Sequence, residues 1–155
     1  MNNKLLNLNK AGVIADFSWL SDLELIIKKR FKLKKQISIA LVNEQQIKKL
    51  NQVYRQKNKI TDVLSFELDN EYVLGEVLIC LSQARRQAKE KSKTLSQIQS
   101  ESVGSGVERK YTCKAELQLL TVHGILHLLG YDHEKSIAES KKQQMIEQEI
   151  LNELN

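Results

Sequence analysis

Apolar residues recur along this chain at spacings that switch between the period of a strand and the period of a helix. Ile37, Ile39 and Leu41 alternate with smaller or polar residues, as in a strand. Residues 19–31 carry apolar side chains at helical spacing, and Asn43 is a residue type that opens helices. In chain order the predicted elements are a strand at 5–8, a helix at 19–31, a strand around 37–41, a helix at 43–54, strands at 63–68 and 73–81, a basic helix capped by Ser82, and helices at 115–129 and 136–154.

The order of these elements predicts an α+β fold. The strands at 63–68 and 73–81 are separated by Asp69-Asn70-Glu71, a turn that would pair them as an antiparallel hairpin. We therefore expect a mixed, mostly parallel four-stranded sheet with one antiparallel strand, covered by helices mainly on one side. No linker or internal repeat divides residues 1–155, so one domain is predicted. The helix at 115–129 is apolar almost all round and should be central and buried.

All three histidines lie in one stretch of this helix and the residues after it, HGILHLLGYDH at 123–133. His123 and His127 are four residues apart, so they project from one helix face and can share an ion. Gly130 supplies the positive φ that ends the helix and turns His133 back to the same point. Three neutral imidazoles without a thiolate suit one Zn²⁺ or a similar ion per chain, with a fourth position left for water.

Other interpretations of the histidines are weaker. A single histidine on an apolar helix face is commonly a packed core residue, but three around a helix stop favour a metal site. Structural zinc sites normally close with four protein ligands, often cysteines, and Cys80 and Cys113 lack CxxC spacing. We therefore favour an open, catalytic site on the central apolar helix. Met145, on the last helix, would pack beneath this site or belong to the ordinary core.

The residue after His123 narrows the chemistry. In zinc peptidases of the HExxH type a glutamate at that position is the general base, and here it is Gly124. The three histidines keep the spacing of metzincin peptidases, yet the proton acceptor is missing. Peptide hydrolysis is therefore disfavoured. The ion could still activate a water molecule or polarise a phosphoryl oxygen.

The stretch HGILHLLGYDH resembles the signature of the YbeY endoribonuclease family, the ribosomal RNA maturation factors. Two further blocks agree with this resemblance: LNQVYR at 50–55 followed by TDVLSF at 61–66, and LGEVLI at 74–79. The chain departs from the family pattern at Glu67, where proline is usual. The polar segment 91–110 is also longer than is typical, and we predict that it is a mobile surface loop.

The resemblance implies a metal-dependent endoribonuclease that prefers single strands, helps to process small-subunit ribosomal RNA and monitors ribosome quality. Ribosomal RNA and the small ribosomal subunit would then be its partners. The resemblance also implies roles for individual side chains. The zinc ligands would be His123, His127 and His133, and the functionally important arginine would be Arg55.

Composition and charge are compatible with this function. No apolar run approaches the roughly 20 residues that cross a bilayer, and the first residues lack a signal-peptide core, so a cytoplasmic protein is expected. Cys80 and Cys113 are then ordinary thiols. The formal net charge is +5, and 24 Lys and Arg include two basic runs at 28–35 and 85–93. On pattern alone, each run could be the solvated side of a helix. With a nuclease-like site in the same chain, contact with RNA phosphates is the better interpretation.

The resulting hypothesis is a zinc-dependent hydrolase of phosphodiester bonds in which His123 and Arg55 are catalytic. The Arg55 guanidinium would stabilise charge on the phosphate in the transition state, although on pattern alone it is an exposed cation at a helix end. Asp132 would transfer a proton, orient a metal ligand, or cap the last helix. No residue is a convincing general base, so water and the ribose hydroxyl both remain as nucleophiles.

Two other functions stay open at this point. One is a zinc-stabilised ribosome-assembly factor that binds RNA without cutting it. The other is a metallohydrolase of another substrate, such as a peptide. The second would need a carboxylate that comes near the metal from elsewhere in the fold.

Overall fold

The computed structural model describes residues 5–9, 15–68, 70–101 and 110–154. Within these ranges, four strands and five helices follow one another in the predicted order. Their bounds differ from the predicted ones by one or two residues, except at the end of the third helix. The elements are β1 Leu6–Asn9, α1 Leu20–Phe31, β2 Gln36–Val42, α2 Glu44–Arg55, β3 Val63–Glu67, β4 Val73–Cys80, α3 Leu81–Glu101, α4 Cys113–Leu128 and α5 Ile137–Leu154.

The four strands form one sheet in the order β1-β2-β4-β3. β1 pairs with β2 and β2 with β4 in parallel, whereas β3 pairs antiparallel with β4 and forms an edge. The Asn70 side chain shapes the β3–β4 connection, because its Oδ1 accepts hydrogen bonds from the backbone N–H groups of Tyr72 and Val73. The predicted mixed, mostly parallel sheet is confirmed. Asp69 of the predicted turn lies outside the described residues.

Alternation along the strands places a core on each face of the sheet. Ile37, Ile39 and Leu41 of β2 face the larger core, to which α1, α3, α4 and α5 contribute buried side chains. On the opposite face Ile47 of α2 packs with Leu64, Leu78 and Cys80. Helices therefore cover the sheet mainly on one side, as predicted, and α2 covers the other.

The third helix corrects one prediction. We expected a surface loop at 91–110, but α3 continues without interruption from Leu81 to Glu101. The segment contains neither proline nor an early glycine, and its polar residues form the solvated side of a helix whose Ala84 and Ala88 are buried. Ser82 does not precede this helix as a cap but lies in its first turn, where its hydroxyl donates to Glu44 Oε1. Residues 102–109 lie outside the described ranges.

α4 is central and buried, as predicted from its apolar sequence. It packs against α3, α5, β3 and β4. Thr112 caps its first turn, because the Thr112 hydroxyl accepts a hydrogen bond from the N–H of Ala115. Cys80 and Cys113 are unpaired thiols, as expected. Among the described residues, no helix has both the length and the apolar character that a membrane span requires.

Candidate metal centre

α4 presents two histidines from consecutive turns on the same side. His123 and His127 are one turn apart, and their ring centroids lie 4.6 Å from each other. Their Nε2 atoms are 3.0 Å apart, so both nitrogens point into the same small volume. Helical periodicity alone accounts for this pair.

Gly130 brings the third histidine to the pair. Its φ of 88° lies in the left-handed region that glycine adopts without strain. The N–H of Gly130 donates to the carbonyl of His127, and the N–H of Tyr131 donates to that of Leu126, so the chain reverses tightly after α4. The His133 ring centroid then lies 5.1 Å from that of His123 and 5.0 Å from that of His127.

The three histidines fit a single metal ion by both geometry and chemistry. One ligand atom from each ring lies within 4.8 Å of the other two. Zinc–nitrogen bonds of about 2.0–2.1 Å place two tetrahedral ligands roughly 3.3 Å apart, close to the observed Nε2 separation. His133 Nδ1 is buried and has no hydrogen-bond partner among the described residues. A buried nitrogen in that condition gains a partner if it binds an ion.

The protonation state of His127 favours the binding of a cation. Burial, followed by the neighbouring charges of His123 and His133, lowers the pKa of His127 below its ordinary value. A histidine with a lowered pKa is neutral near pH 7, and the neutral imidazole is the form that binds metals. Soft thiolates are absent from the cluster, so its donors suit a borderline ion such as zinc.

α5 supplies groups that orient His123. Glu147 Oε1 lies 2.7 Å from His123 Nδ1, which leaves Nε2 of the same ring for a metal. The buried Gln143 donates from Nε2 to the same Glu147 oxygen at 3.1 Å. Burial raises the pKa of Glu147, but the hydrogen bond and charge of His123 and the Gln143 amide outweigh it, so the pKa is lowered. Glu147 is therefore an ionised carboxylate behind the ring.

Sequence reasoning missed Glu147 and Gln143. They are four residues apart on α5 and so share a helix face, but nothing local to α5 indicates which face points to the histidines. We predicted that Met145 packs beneath the site or in the core, and that prediction is wrong: Met145 is 63% exposed. Gln143 and Glu147, two residues to either side of Met145, face His123 instead.

Arg55 lies on the same cleft as the three histidines, at the last residue of α2. Its Nη2 is 3.4 Å from Glu134 Oε1, on the segment that follows His133, and both side chains are substantially exposed. An exposed ion pair of this kind is weak, so the guanidinium can exchange its partner for a phosphate. Asp132 also lines the cleft and shapes the turn, because its Oδ1 accepts the N–H of Glu134.

The cleft has a volume of about 1180 Å³ and runs along the edge strand β3. Its lining includes consecutive residues from Thr61 to Leu68 on one side and residues of α4 on the other. The position after His123 is closed to any side chain, because a Cβ on Gly124 would lie 2.4 Å from Val77 Cγ1. The glutamate of an HExxH peptidase therefore has no space in this fold.

The two basic runs lie in different places. In the first, Lys28 pairs with Glu24 at 2.7 Å, and Arg30 pairs with Glu149 of α5. These cations do not line the cleft. In the second run, Lys91 lines the cleft and lies 2.6 Å from the buried Glu116 carboxylate.

Three convergent imidazoles in an open cleft of an α+β fold define this chain as a candidate metalloprotein. A family model described as Endoribonuclease YbeY matches residues 7–155, nearly the whole chain. The chain therefore belongs to the endoribonuclease YbeY family. This family is the one that the sequence motifs resemble.

Relatives and a solved structure agree with this assignment. The chain is 39% identical over 124 residues to an endoribonuclease YbeY of Aquifex aeolicus, covering 77% of this chain and 71% of that protein. It is 42% identical over 123 residues to one of Thermodesulfovibrio yellowstonii, covering 76% of this chain and 66% of that protein. The solution structure of TM1509 from Thermotoga maritima superposes with a TM-score of 0.59 at 28% identity, covering 96% of this chain and 88% of the other.

Proposed function

We propose that this protein is a metal-dependent endoribonuclease that cuts single-stranded RNA during maturation of small-subunit ribosomal RNA. The observation that carries the proposal is the convergence of the three histidines in an open cleft, in a chain whose family match spans residues 7–155. Residues 1–155 would act as one domain in the cytoplasm and contribute to ribosome quality control.

His123, His127 and His133 would hold one Zn²⁺. When bound, the ion supplies Lewis acidity toward a phosphoryl oxygen and lowers the pKa of a water molecule. Glu147 keeps Nε2 of His123 directed to the centre of the cluster, because the carboxylate occupies Nδ1 at 2.7 Å. His123 would thus be a ligand whose ring is oriented by the carboxylate behind it.

Arg55 would bind the phosphate at the cleavage site. A guanidinium forms two parallel hydrogen bonds to phosphate oxygens and stabilises the charge that develops on them. Arg55 pairs weakly with Glu134 at the cleft, and a phosphate would replace that exposed partner. Asp132 precedes His133 and lines the cleft, and it would accept a proton there, whereas Glu147 is occupied by His123.

The nucleophile can be determined from the products. Attack by the ribose hydroxyl leaves a 2′,3′-cyclic phosphate, whereas attack by water leaves a linear phosphate end. Mass spectrometry of the fragments from a short single-stranded RNA distinguishes the two.

The decisive experiment combines metal content with RNA cleavage on the purified protein. We expect about one zinc ion per chain, cleavage of single-stranded RNA, loss of cleavage after chelation, and recovery when zinc is restored. His127→Ala should lose cleavage, and Arg55→Glu should cut at least tenfold more slowly while binding zinc normally. Unchanged cleavage by Arg55→Glu would remove this residue from the mechanism.

The same samples separate the alternatives. Zinc-dependent RNA binding with no cleavage by any preparation would identify an assembly factor that does not cut RNA. Hydrolysis of a peptide but not of RNA would identify a different metallohydrolase. Gly124 argues against the peptidase, because the position of its general base is filled by the Val77 side chain.

A further inference from the structure

One wall of the cleft carries an aromatic ring that the fold leaves uncovered. Tyr54, in the last turn of α2, is 65% exposed although it is a large and partly apolar side chain. Its ring contacts Phe66 of β3 in an edge-to-face arrangement, with centroids 4.9 Å apart and an interplanar angle of 62°. Packing on Phe66 orients the ring and leaves much of its surface free.

The backbone beneath Tyr54 is held firmly. α2 ends at Gln56, whose N–H donates to the carbonyls of Asn51 and Gln52 and whose backbone is left-handed. The N–H of Lys57 also donates to the Asn51 carbonyl at 3.2 Å. The position of the ring on the cleft wall is therefore set by the end of α2 and by its contact with Phe66.

The neighbours of Tyr54 indicate what could cover it. Tyr54 and Phe66 line the same cleft as the three histidines, and the next residue is the cation Arg55. A flat apolar surface beside a guanidinium matches a ligand that carries a flat ring and an anion joined by a short linker, as the ribose joins base and phosphate. Nucleotides have this character, since every base presents a π face and is linked to a phosphate.

We propose that Tyr54, supported by Phe66, stacks on an unpaired base of the RNA next to the phosphate that Arg55 contacts. This subsite rests on the proposed function and refines it. A base inside a duplex already stacks on its neighbours, so only a single strand can offer one to Tyr54. The subsite would thus favour single-stranded over double-stranded RNA at the step of binding.

Three variants test the subsite on the zinc-loaded protein. Tyr54→Ala removes the ring, Tyr54→Phe keeps it, and Tyr72→Ala removes a comparably exposed tyrosine, 70% accessible, that does not line the cleft. Fluorescence anisotropy with a labelled 2′-O-methyl RNA strand, shown by gel electrophoresis to remain intact, measures binding without cleavage. We expect Tyr54→Ala to raise Kd about tenfold, and the other two variants to stay within about twofold of the original protein.

Abasic RNA locates the base. In a series of single-stranded substrates, each with one base removed, we expect one position to lower kcat/KM about tenfold for the original protein. The same position should have almost no effect for Tyr54→Ala, because the ring that meets the base is already gone. Thermal melting should show all three tyrosine variants folded, as expected for exposed side chains.

The outcomes separate this inference from the proposed function. If the original protein cuts RNA and Tyr54→Ala matches it in Kd and kcat/KM, the subsite is wrong and the nuclease stands. An equal loss in Tyr54→Phe and Tyr54→Ala would also overturn stacking, since it would assign the effect to the hydroxyl. If the original protein neither binds nor cuts RNA, both the proposed function and the Tyr54 subsite are wrong.

Discussion

His123 is engaged on both sides of its ring. Nδ1 meets the Glu147 carboxylate at 2.7 Å, and Nε2 faces His127 Nε2 at 3.0 Å. A carboxylate behind a metal-binding imidazole sets its tautomer and raises its basicity. Glu147 therefore acts through His123, as a positioning residue.

Removing Glu147 should weaken metal binding. We expect Glu147→Ala to lower zinc affinity about 10- to 100-fold, and Glu147→Gln to lower it less, because the amide oxygen can still accept the ring N–H. Glu149→Ala is the matched control, since Glu149 lies on the same helix but pairs with Arg30. Competition with a chromophoric chelator measures the affinity without any assay of activity. Equal zinc affinity in all four proteins would show that Glu147 has no positioning role.

Gly124 is determined by packing against the sheet. A Cβ there would lie 2.4 Å from Val77 Cγ1 and 3.1 Å from Ser65 Oγ. The Ser65 hydroxyl also donates to the Gly124 carbonyl at 3.0 Å, so α4 and β3 lie close at this point. The small residue allows the helix that carries the histidines to approach the strands.

Restoring a peptidase glutamate at this position should therefore damage the fold. We expect Gly124→Glu to lower the free energy of unfolding by about 3 kcal/mol or more, because it overpacks the helix–sheet contact and buries a carboxylate. Gln148→Glu, which adds the same charge to the exposed side of α5, should change it by less than about 0.5 kcal/mol. Urea denaturation monitored by circular dichroism measures both. A stable Gly124→Glu protein with peptidase activity would contradict the packing argument.

At the scale of elements, a single carboxylate joins β1 to α1. Glu24 is nearly buried and accepts the N–H of Leu5 at 2.9 Å and that of Leu6 at 3.3 Å. Lys28 lies one helical turn further on and approaches the same carboxylate at 2.7 Å. Burial raises the pKa of Glu24. The hydrogen bonds from Lys28, Leu5 and Leu6 together lower it by more, so its pKa is below the ordinary 4.5.

This contact should make stability depend on pH. Because the folded pKa is below the unfolded value, the stabilisation is complete above about pH 4.5 and is lost as the pH falls through the folded pKa. We expect Glu24→Gln to cost about 1–3 kcal/mol at pH 7 and much less near pH 3. Denaturant unfolding of the original protein and of Glu24→Gln at pH 7 and pH 3 separates the contribution of Glu24 to stability from that of the other carboxylates. A difference that is independent of pH would show that its charge contributes nothing.

The elements themselves were largely predictable. The apolar period identified the strands and helices within one or two residues, and the all-round apolar character of α4 indicated its central position. The extension of α3 through 91–101 was not predicted, because a polar helix side and a polar loop have the same composition. Only the burial of residues at helical spacing distinguishes the two, and in this segment Ser92, Leu95 and Ser96 are half-buried.

At the scale of the whole molecule, the cleft forms where several helices and strands meet. β3 forms one wall, α4 and the following turn carry the histidines, and the end of α2 adds Arg55 and Tyr54. Several acidic side chains also line the cleft, and three of them are paired: Glu116 with Lys91, Glu134 with Arg55, and Glu147 with His123. The net charge of +5 therefore does not describe the charge of the cleft, where cations and carboxylates are paired.

The amino-acid sequence alone determined the order of elements and the convergence of the three histidines. Both are local properties, set by the period of the helix and by the positive φ of Gly130. Tertiary structure alone decided which groups surround the histidines. Glu147 meets His123 across 24 residues, and Arg55 meets Glu134 across 79. These contacts depend on how α5, α2 and β3 pack around α4, and no spacing along a single helix or strand encodes that packing.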